Sequence, residues 1–177
     1  IEDEAALKRQ LSDIEVTISY ENGVQQVFLN GEKVTGLIRT EQVSDMTSRS
    51  SAKPQVREKL TELQRTLAKK EDVLMDGRDI GTMILPDAQL KIFLTASVKT
   101  RAERRYKEQI EKGESCTLEE IERDIEERDY RDSHRETAPL RQAEDAVLVD
   151  SSDMTIDEVV AAIVALARER MQMATCR

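Results

Sequence analysis

The hydrophobic positions change period along the chain, and each period predicts a different kind of element. Two leucines four residues apart predict a short helix within residues 2–12. From residue 14 onward, apolar and polar positions alternate, and two Asn-Gly pairs separate three such stretches. An Asn-Gly pair between alternating segments is a strong signal for a hairpin turn. Residues 13–40, with a third strand over 33–39, are therefore predicted to form a three-stranded antiparallel meander.

The later part of the chain has the pattern of an α/β domain. Pro54 and the apolar positions that follow it every three or four residues predict a helix. Continuous apolar runs, each followed by a helical segment, predict buried strands over 73–75, 90–96 and 146–149. Such an order is typical of parallel strands joined by crossover helices. Capping-box sequences predict that two further helices start at Thr117 and Thr155.

The composition excludes several classes of protein. Charged residues make up 36% of the chain, and the formal net charge of −9 argues against a protein that wraps nucleic acid. The longest strongly apolar run, Val159–Ala167, is too short to span a membrane, and Ile1–Glu4 is acidic, unlike a secretory signal. Cys116 and Cys176 lack metal-ligand spacing and exclude a disulfide framework. We expect a cytoplasmic monomer without nucleic-acid or membrane partners.

Charged residues follow directly on the first predicted strand of the α/β part, as Asp76-Gly77-Arg78-Asp79. In open α/β sheets, ligands bind beyond the carboxyl ends of the strands. Three charges around a glycine at such an end are poorly placed for a core and well placed for a ligand. The alternative is a polar loop in which Arg78 and Asp79 satisfy each other.

The helix that starts after Thr117 carries charge on the line of its own core residues. One stripe at helical spacing contains Leu118, Ile121, Ile125, Arg128, Asp132 and Arg135. Buried charges are costly unless they are paired, and one Asp cannot balance two Arg. An anion at this end of the helix is one explanation. The other is a helix that leaves the body, with Arg128 and Asp132 as a weak solvated pair.

A third basic group, Arg101, Arg104 and Arg105, precedes a turn at 112–115. Arginines on a helix-turn-helix resemble a lid that closes over phosphates, although alone they are more often a solvated hairpin. Of the 27 basic residues, 17 are Arg, the residue suited to bidentate capture of phosphate. The chain contains no Gly-x-x-x-x-Gly-Lys-Ser/Thr sequence and no cluster with metal-ligand spacing.

Taken together, these motifs resemble those of bacterial cytidylate kinases, within the nucleoside monophosphate kinase group. The resemblance covers residues 14–171, and its most specific parts are 76–82, 91–96, 101–106, 128–135, 138–140 and 150–152. It implies a doubly wound parallel sheet of the P-loop kinase type, formed by residues 1–12 and 41–177. A helical lid at about 101–128 and a monophosphate-binding insertion at 13–40 complete the implied fold.

The resemblance also implies a reaction, phosphoryl transfer from ATP with Mg²⁺ to CMP or dCMP, and a role for each matching residue. Arg78 and Arg135 would bind the CMP phosphate; Ser48, Arg57 and Asp79 would read the cytosine edge; Arg128 and Asp132 would reach the sugar and neighbouring phosphate; Arg104 and Arg105 would touch the transferring phosphate from the lid. Ser48 and Arg57 rest on the resemblance alone.

One departure from the family concerns ATP. The family opens with a strand, a Gly-rich Lys-Ser/Thr loop and a helix, and this sequence contains no such loop. Three hypotheses follow: a cytidylate kinase whose N-terminal segment precedes these residues, a truncated CMP-binding fragment without activity, or an acidic α/β domain that binds a protein partner. We expect the 177 residues alone to lack CMP kinase activity.

Overall fold

The computed structural model describes residues 4–38, 40, 43, 46–47, 50 and 53–175. The chain divides into two compact units, Ile1–Leu74 and Met75–Arg177. The predicted partition, which joins residues 1–12 to 41–177 and sets 13–40 and the lid apart, stays a prediction. Among the described residues, no helix is long and apolar enough to cross a membrane.

The first unit contains a three-stranded antiparallel sheet and two helices. Its elements are α1 (Glu4–Ser12), β1 (Val16–Glu21), β2 (Val24–Leu29), β3 (Glu32–Lys33) and α2 (Pro54–Lys70). The strands pair in chain order, so the sheet is a meander. Asn22 and Asn30 have φ of 51° and 50°, and the glycine after each is also left-handed, so the two Asn-Gly pairs form the hairpin turns.

Strand β3 is shorter than the stretch predicted over 33–39. The Val27 N–H donates to the Thr35 hydroxyl at 2.8 Å instead of to a strand carbonyl, while Val34 N–H donates to Val27 O at 2.9 Å. Because a side chain takes the place of the next ladder bond, the strand pairing ends there. An alternating pattern does not reveal such a substitution.

The second unit is built around a parallel pair of strands. Its elements are a π-helical turn (Ile80–Ile84), β4 (Ile92–Thr95), α3 (Val98–Glu111), α4 (Leu118–His134), β5 (Val147–Asp150) and α5 (Ile156–Thr175). Strands β4 and β5 are parallel, with Ile92 opposite Val147, and α3 and α4 lie between them in the chain. The predicted α/β class, with strands inside 90–96 and near 146–149, is confirmed at this level.

The predicted strand over 73–75 is wrong. These residues have no regular secondary structure, and Leu74 is 89% exposed. A strand needs a hydrogen-bonded neighbour, and within the described residues the parallel sheet consists of β4 and β5 alone. The expectation of fully buried strands also fails in part, since Leu94 and Leu148 are more than half exposed.

The core of the second unit lies between α3 and α4. Ala102 of α3 packs against Ile121 and Ile125 of α4, and all three are buried. Side-chain caps fix where these helices begin: Ser97 accepts the Thr100 N–H ahead of α3, and Thr117 forms a full capping box ahead of α4. The aliphatic half of the predicted stripe is therefore the hydrophobic core.

Candidate functional site

The charged end of α4 contacts the loop that precedes the π-helical turn. Arg78 Nε donates to Asp132 Oδ2, forming an ion pair. Arg128 Nε lies 3.8 Å from the same oxygen, one helical turn away. The Asp132 side chain is 18% exposed, whereas that of Arg128 is 61% exposed. One half-buried carboxylate thus orients two guanidinium groups that come from different parts of the chain.

A second pair lies beside the first, because its members neighbour the first pair in sequence. Arg135 Nη2 lies 3.9 Å from Asp79 Oδ1, and these side chains are 28% and 14% exposed. Arg135 Nε donates to the Ala138 carbonyl at 2.7 Å. Nη2 of Arg135 is buried and makes no hydrogen bond within the part of the chain that the structure describes. This guanidinium therefore has a donor in reserve.

Local sequence explains how Arg78 and Asp79 are presented. A Cβ on Gly77 would lie 2.9 Å from Ile80 Cγ1, so the backbone can pass this close only with glycine. The Asp79 carbonyl then accepts the Met83 N–H at 2.9 Å, which starts the π-helical turn. The two charged side chains precede this turn directly, and the turn fixes the backbone that carries them.

On the other side, α4 stops at His134, and its geometry changes at the next residue. Arg135 has an extended backbone, with φ of −66° and ψ of 143°. The Leu140 N–H donates to the Asp132 carbonyl at 2.8 Å, which gives a terminal carbonyl of the helix a partner. The change of backbone at Arg135 and the bond at Asp132 define the end of the helix at the site.

The electrostatics of this region favour an anion. The pKa of Arg128 is lowered from its ordinary value, first by burial and then by the charge of Arg78, while Asp132 acts in the opposite direction. Arg105 lowers it further, which brings this member of α3 into the same positive field. Phosphate is the anion whose geometry suits several guanidinium groups at once.

The remaining arginines of α3 are bonded to the body of the unit. Arg101 donates Nη1 and Nη2 to the two carboxylate oxygens of Asp129 at 3.1 and 2.6 Å, and Nε to the Ala96 carbonyl at 3.0 Å. Arg104 donates Nη2 to the carbonyls of Ser151 and Met154 at 2.6 and 3.0 Å. These contacts tie α3 to α4 and to the loop that follows β5.

The residues that the sequence predicted for a site are therefore found in different places. Arg78, Asp79, Arg128, Asp132 and Arg135 are brought together by two ion pairs and one longer contact. Arg105 joins them through its charge alone, and Arg104 is directed to the loop after β5. Arg57 lies on α2 in the first unit, and Ser48 is outside the described residues.

Sequence reasoning missed two contributors, Asp129 and the carbonyl of Ala138. Asp129 directly follows Arg128 and is off the core stripe, so the helical period gave no reason to select it. Its signal would have been Arg101, whose position two helices apart needed a carboxylate partner. No signal in the sequence marks a carbonyl contact. Within the described residues no group of three or more His, Cys, Asp and Glu side chains could hold a metal ion.

Comparison with known proteins agrees with this geometry. The family model for cytidylate kinase matches residues 1–169. A cytidylate kinase of Ligilactobacillus salivarius is 50% identical over 170 residues, which are 96% of this chain and 76% of that protein. Those of Lactobacillus johnsonii and Streptococcus pneumoniae strain 70585 are 48% identical over 170 residues and 54% identical over 151. They cover 96% and 85% of this chain, and 74% and 68% of the respective relatives. An arginine-rich, carboxylate-oriented anion site thus occurs in a chain that belongs to the cytidylate kinase family.

Proposed function

We propose that this protein transfers the γ-phosphoryl group of ATP, supplied with Mg²⁺, to CMP or dCMP and so forms CDP or dCDP. The observation that carries the proposal is the pairing of Arg78 with Asp132 beside the reserve donor of Arg135. Membership of the cytidylate kinase family supplies the nucleotide and the reaction. The proposed setting is a cytoplasmic monomer with the doubly wound sheet of P-loop kinases.

The phosphate of CMP binds to Arg78 and Arg135 in this proposal. Asp132 and Asp79 keep the two guanidinium groups in place before the nucleotide arrives, so little reorganisation is needed when it binds. A phosphate oxygen accepts from the buried Nη2 of Arg135, which satisfies that donor. The surplus positive charge around Arg128 then has a counterion.

Recognition of the sugar and base uses the carboxylates. Asp132 accepts a hydrogen bond from the sugar hydroxyl, and Arg128 reaches the sugar and the neighbouring phosphate. Asp79 accepts from the exocyclic amine of cytosine, which uracil lacks. Ser48 and Arg57 complete the cytosine edge in this proposal on the strength of the family resemblance alone.

The donor nucleotide binds through the lid. Arg105 lies in the positive field of Arg128, which suits a contact to the transferring phosphate. Arg104 reaches that phosphate only by releasing the carbonyls of Ser151 and Met154. Mg²⁺ enters with ATP as part of this substrate and neutralises charge on its phosphates. The Gly-rich Lys-Ser/Thr loop that would hold those phosphates is not among these 177 residues.

Titration calorimetry with CMP, UMP and cytidine tests the monophosphate site. We expect CMP to bind at least about tenfold more tightly than UMP, because a site that pairs with an amine leaves groups unpaired against a carbonyl. Equal affinity for CMP and UMP would contradict the base assignment. The absence of any nucleotide binding would favour the acidic interaction domain instead.

A coupled ADP-release assay with CMP tests the reaction. We expect no turnover from the 177 residues alone and measurable turnover once a Gly-rich Lys-Ser/Thr segment precedes Ile1. Inactivity of both chains, with CMP binding retained, would favour the CMP-binding fragment. Strong turnover by the 177 residues alone would mean that the phosphate loop has been misplaced.

A further inference from the structure

The connector after α4 carries an unusual backbone. We call residues 136–140 the strap. Ala138 has a φ of 51°, and among the described residues of the second unit it is the one non-glycine residue with a positive φ. It is 6% exposed and precedes Pro139, and a following proline restricts the backbone further. A buried alanine adopts this conformation only where the surrounding structure imposes it.

The strap is bonded to two α4 residues of the proposed site. The Ala138 carbonyl accepts from Arg135 Nε at 2.7 Å. The Leu140 N–H donates to the Asp132 carbonyl at 2.8 Å. The first bond holds a side chain and the second holds the helix end that carries its neighbour. The left-handed residue thus lies between two contacts that both fix site residues.

We propose that Ala138 is a positioning residue for the CMP phosphate, acting through Arg135. Its left-handed backbone directs its carbonyl to Arg135 Nε and so fixes the plane of the guanidinium group. Nη2 is then held buried and unbonded, 3.9 Å from Asp79, until a phosphate oxygen accepts from it. The inference rests on the proposed function, in which Arg135 binds that phosphate. Its value is preorganisation, since the donor is aimed before the ligand arrives.

The test compares Ala138→Val with Ala138→Gly in the full chain. Valine is β-branched and does not adopt a positive φ, so the carbonyl must move away from Arg135. We expect Ala138→Val to weaken CMP binding about tenfold, the loss of one charge-assisted hydrogen bond. Cytidine lacks the phosphate and should bind as it does to the wild type. Glycine adopts this backbone freely, so Ala138→Gly should retain CMP affinity within about twofold.

A double-mutant cycle shows whether the strap acts through Arg135. Arg135→Lys keeps the charge and removes the planar fork, so adding Ala138→Val to it should cost no more than about a further twofold. Gly113→Val is the matched control. Gly113 has a φ of 77° with open space around it in the turn between α3 and α4. The control should lower the thermal unfolding midpoint and leave the ratio of CMP to cytidine affinity unchanged.

Three results would overturn the role of the strap alone: equal CMP affinity of the valine and glycine variants, an equal loss for cytidine and CMP, or a full additional loss in the Arg135→Lys background. Thermal unfolding of each variant verifies that the fold is kept, and the glycine variant remains informative if the valine variant does not fold. A wild-type chain that binds CMP no better than cytidine would overturn the proposed function and the strap with it.

Discussion

The arginines of the second unit form two groups that differ in how many of their donors are used. Arg101 donates from all three guanidinium nitrogens, and Arg104 reaches two carbonyls and a hydroxyl. Arg128, in contrast, is 3.8 Å from its carboxylate, and Arg135 has a buried donor without a hydrogen-bond partner among the described residues. The same side chain is therefore used for two purposes within one helical hairpin.

This contrast gives a physical criterion for function that charge alone does not give. A guanidinium group whose donors all meet protein acceptors holds elements together and has nothing left for a ligand. A group that is oriented by one carboxylate but keeps a free donor is suited to a phosphate. By this criterion Arg101 is structural and Arg135 is a ligand-binding residue, and the difference can be measured.

The largest effect is expected from Arg135→Ala. Loss of its donors removes at least one charge-assisted bond to the phosphate, so CMP affinity should fall about 10- to 100-fold. The free energy of unfolding should change much less, because only the bond to the Ala138 carbonyl is lost. Calorimetric titration and urea unfolding measure the two quantities on the same sample. A large loss of stability with unchanged affinity would place Arg135 in the structural group.

Arg101→Ala should show the opposite balance. The variant loses the bidentate pair with Asp129 and the bond to Ala96, and we expect the free energy of unfolding to fall by about 1–2 kcal/mol. The figure allows for solvent screening, since both charged side chains are about a third exposed. CMP affinity should fall less than in Arg135→Ala. Asp129→Asn is the matched control, and a larger effect on affinity than on stability would contradict the division.

The smallest effect concerns acid and a cap remote from the arginines. The Thr155 backbone and hydroxyl groups lower the pKa of Glu158 below its ordinary 4.5. A lowered folded-state pKa contributes stability that is present above the unfolded pKa and is lost as the pH falls through the folded one. Glu158→Gln should therefore unfold at a lower temperature at pH 7, and the difference should vanish as the pH falls well below 4.5. A constant difference across this range would exclude the carboxylate charge as its cause.

Local features of the fold could be predicted from the sequence, because each is determined within a few residues. The Asn-Gly turns, the capping boxes at Thr117 and Thr155, and the start of α2 at Pro54 are of this kind. The apolar runs of β4 and β5 also sufficed to locate those strands. The run over 73–75 failed because a strand exists only with a neighbour, and composition does not supply the neighbour.

The candidate site was predictable only as a set of positions. The helical period placed Asp132 and Arg135 on the core line of α4, and the structure has both there with partners. The pairing itself was not predictable, since Arg78 and Asp132 are separated by 54 positions. Nor could the conformation of Ala138 be predicted, because alanine has no preference for a positive φ.

The caps at the starts of α3 and α4 also bear on the order of folding. The two helices are neighbours in the chain, so their contacts close only a short loop. The parallel strands pair across a long separation, and the Ser97 N–H meets the Ser152 hydroxyl 55 positions away. Condensation of the helical hairpin shortens that loop, so we expect the hairpin to precede the sheet. The charged end of α4 is then completed late, when Arg78 arrives from 54 positions upstream.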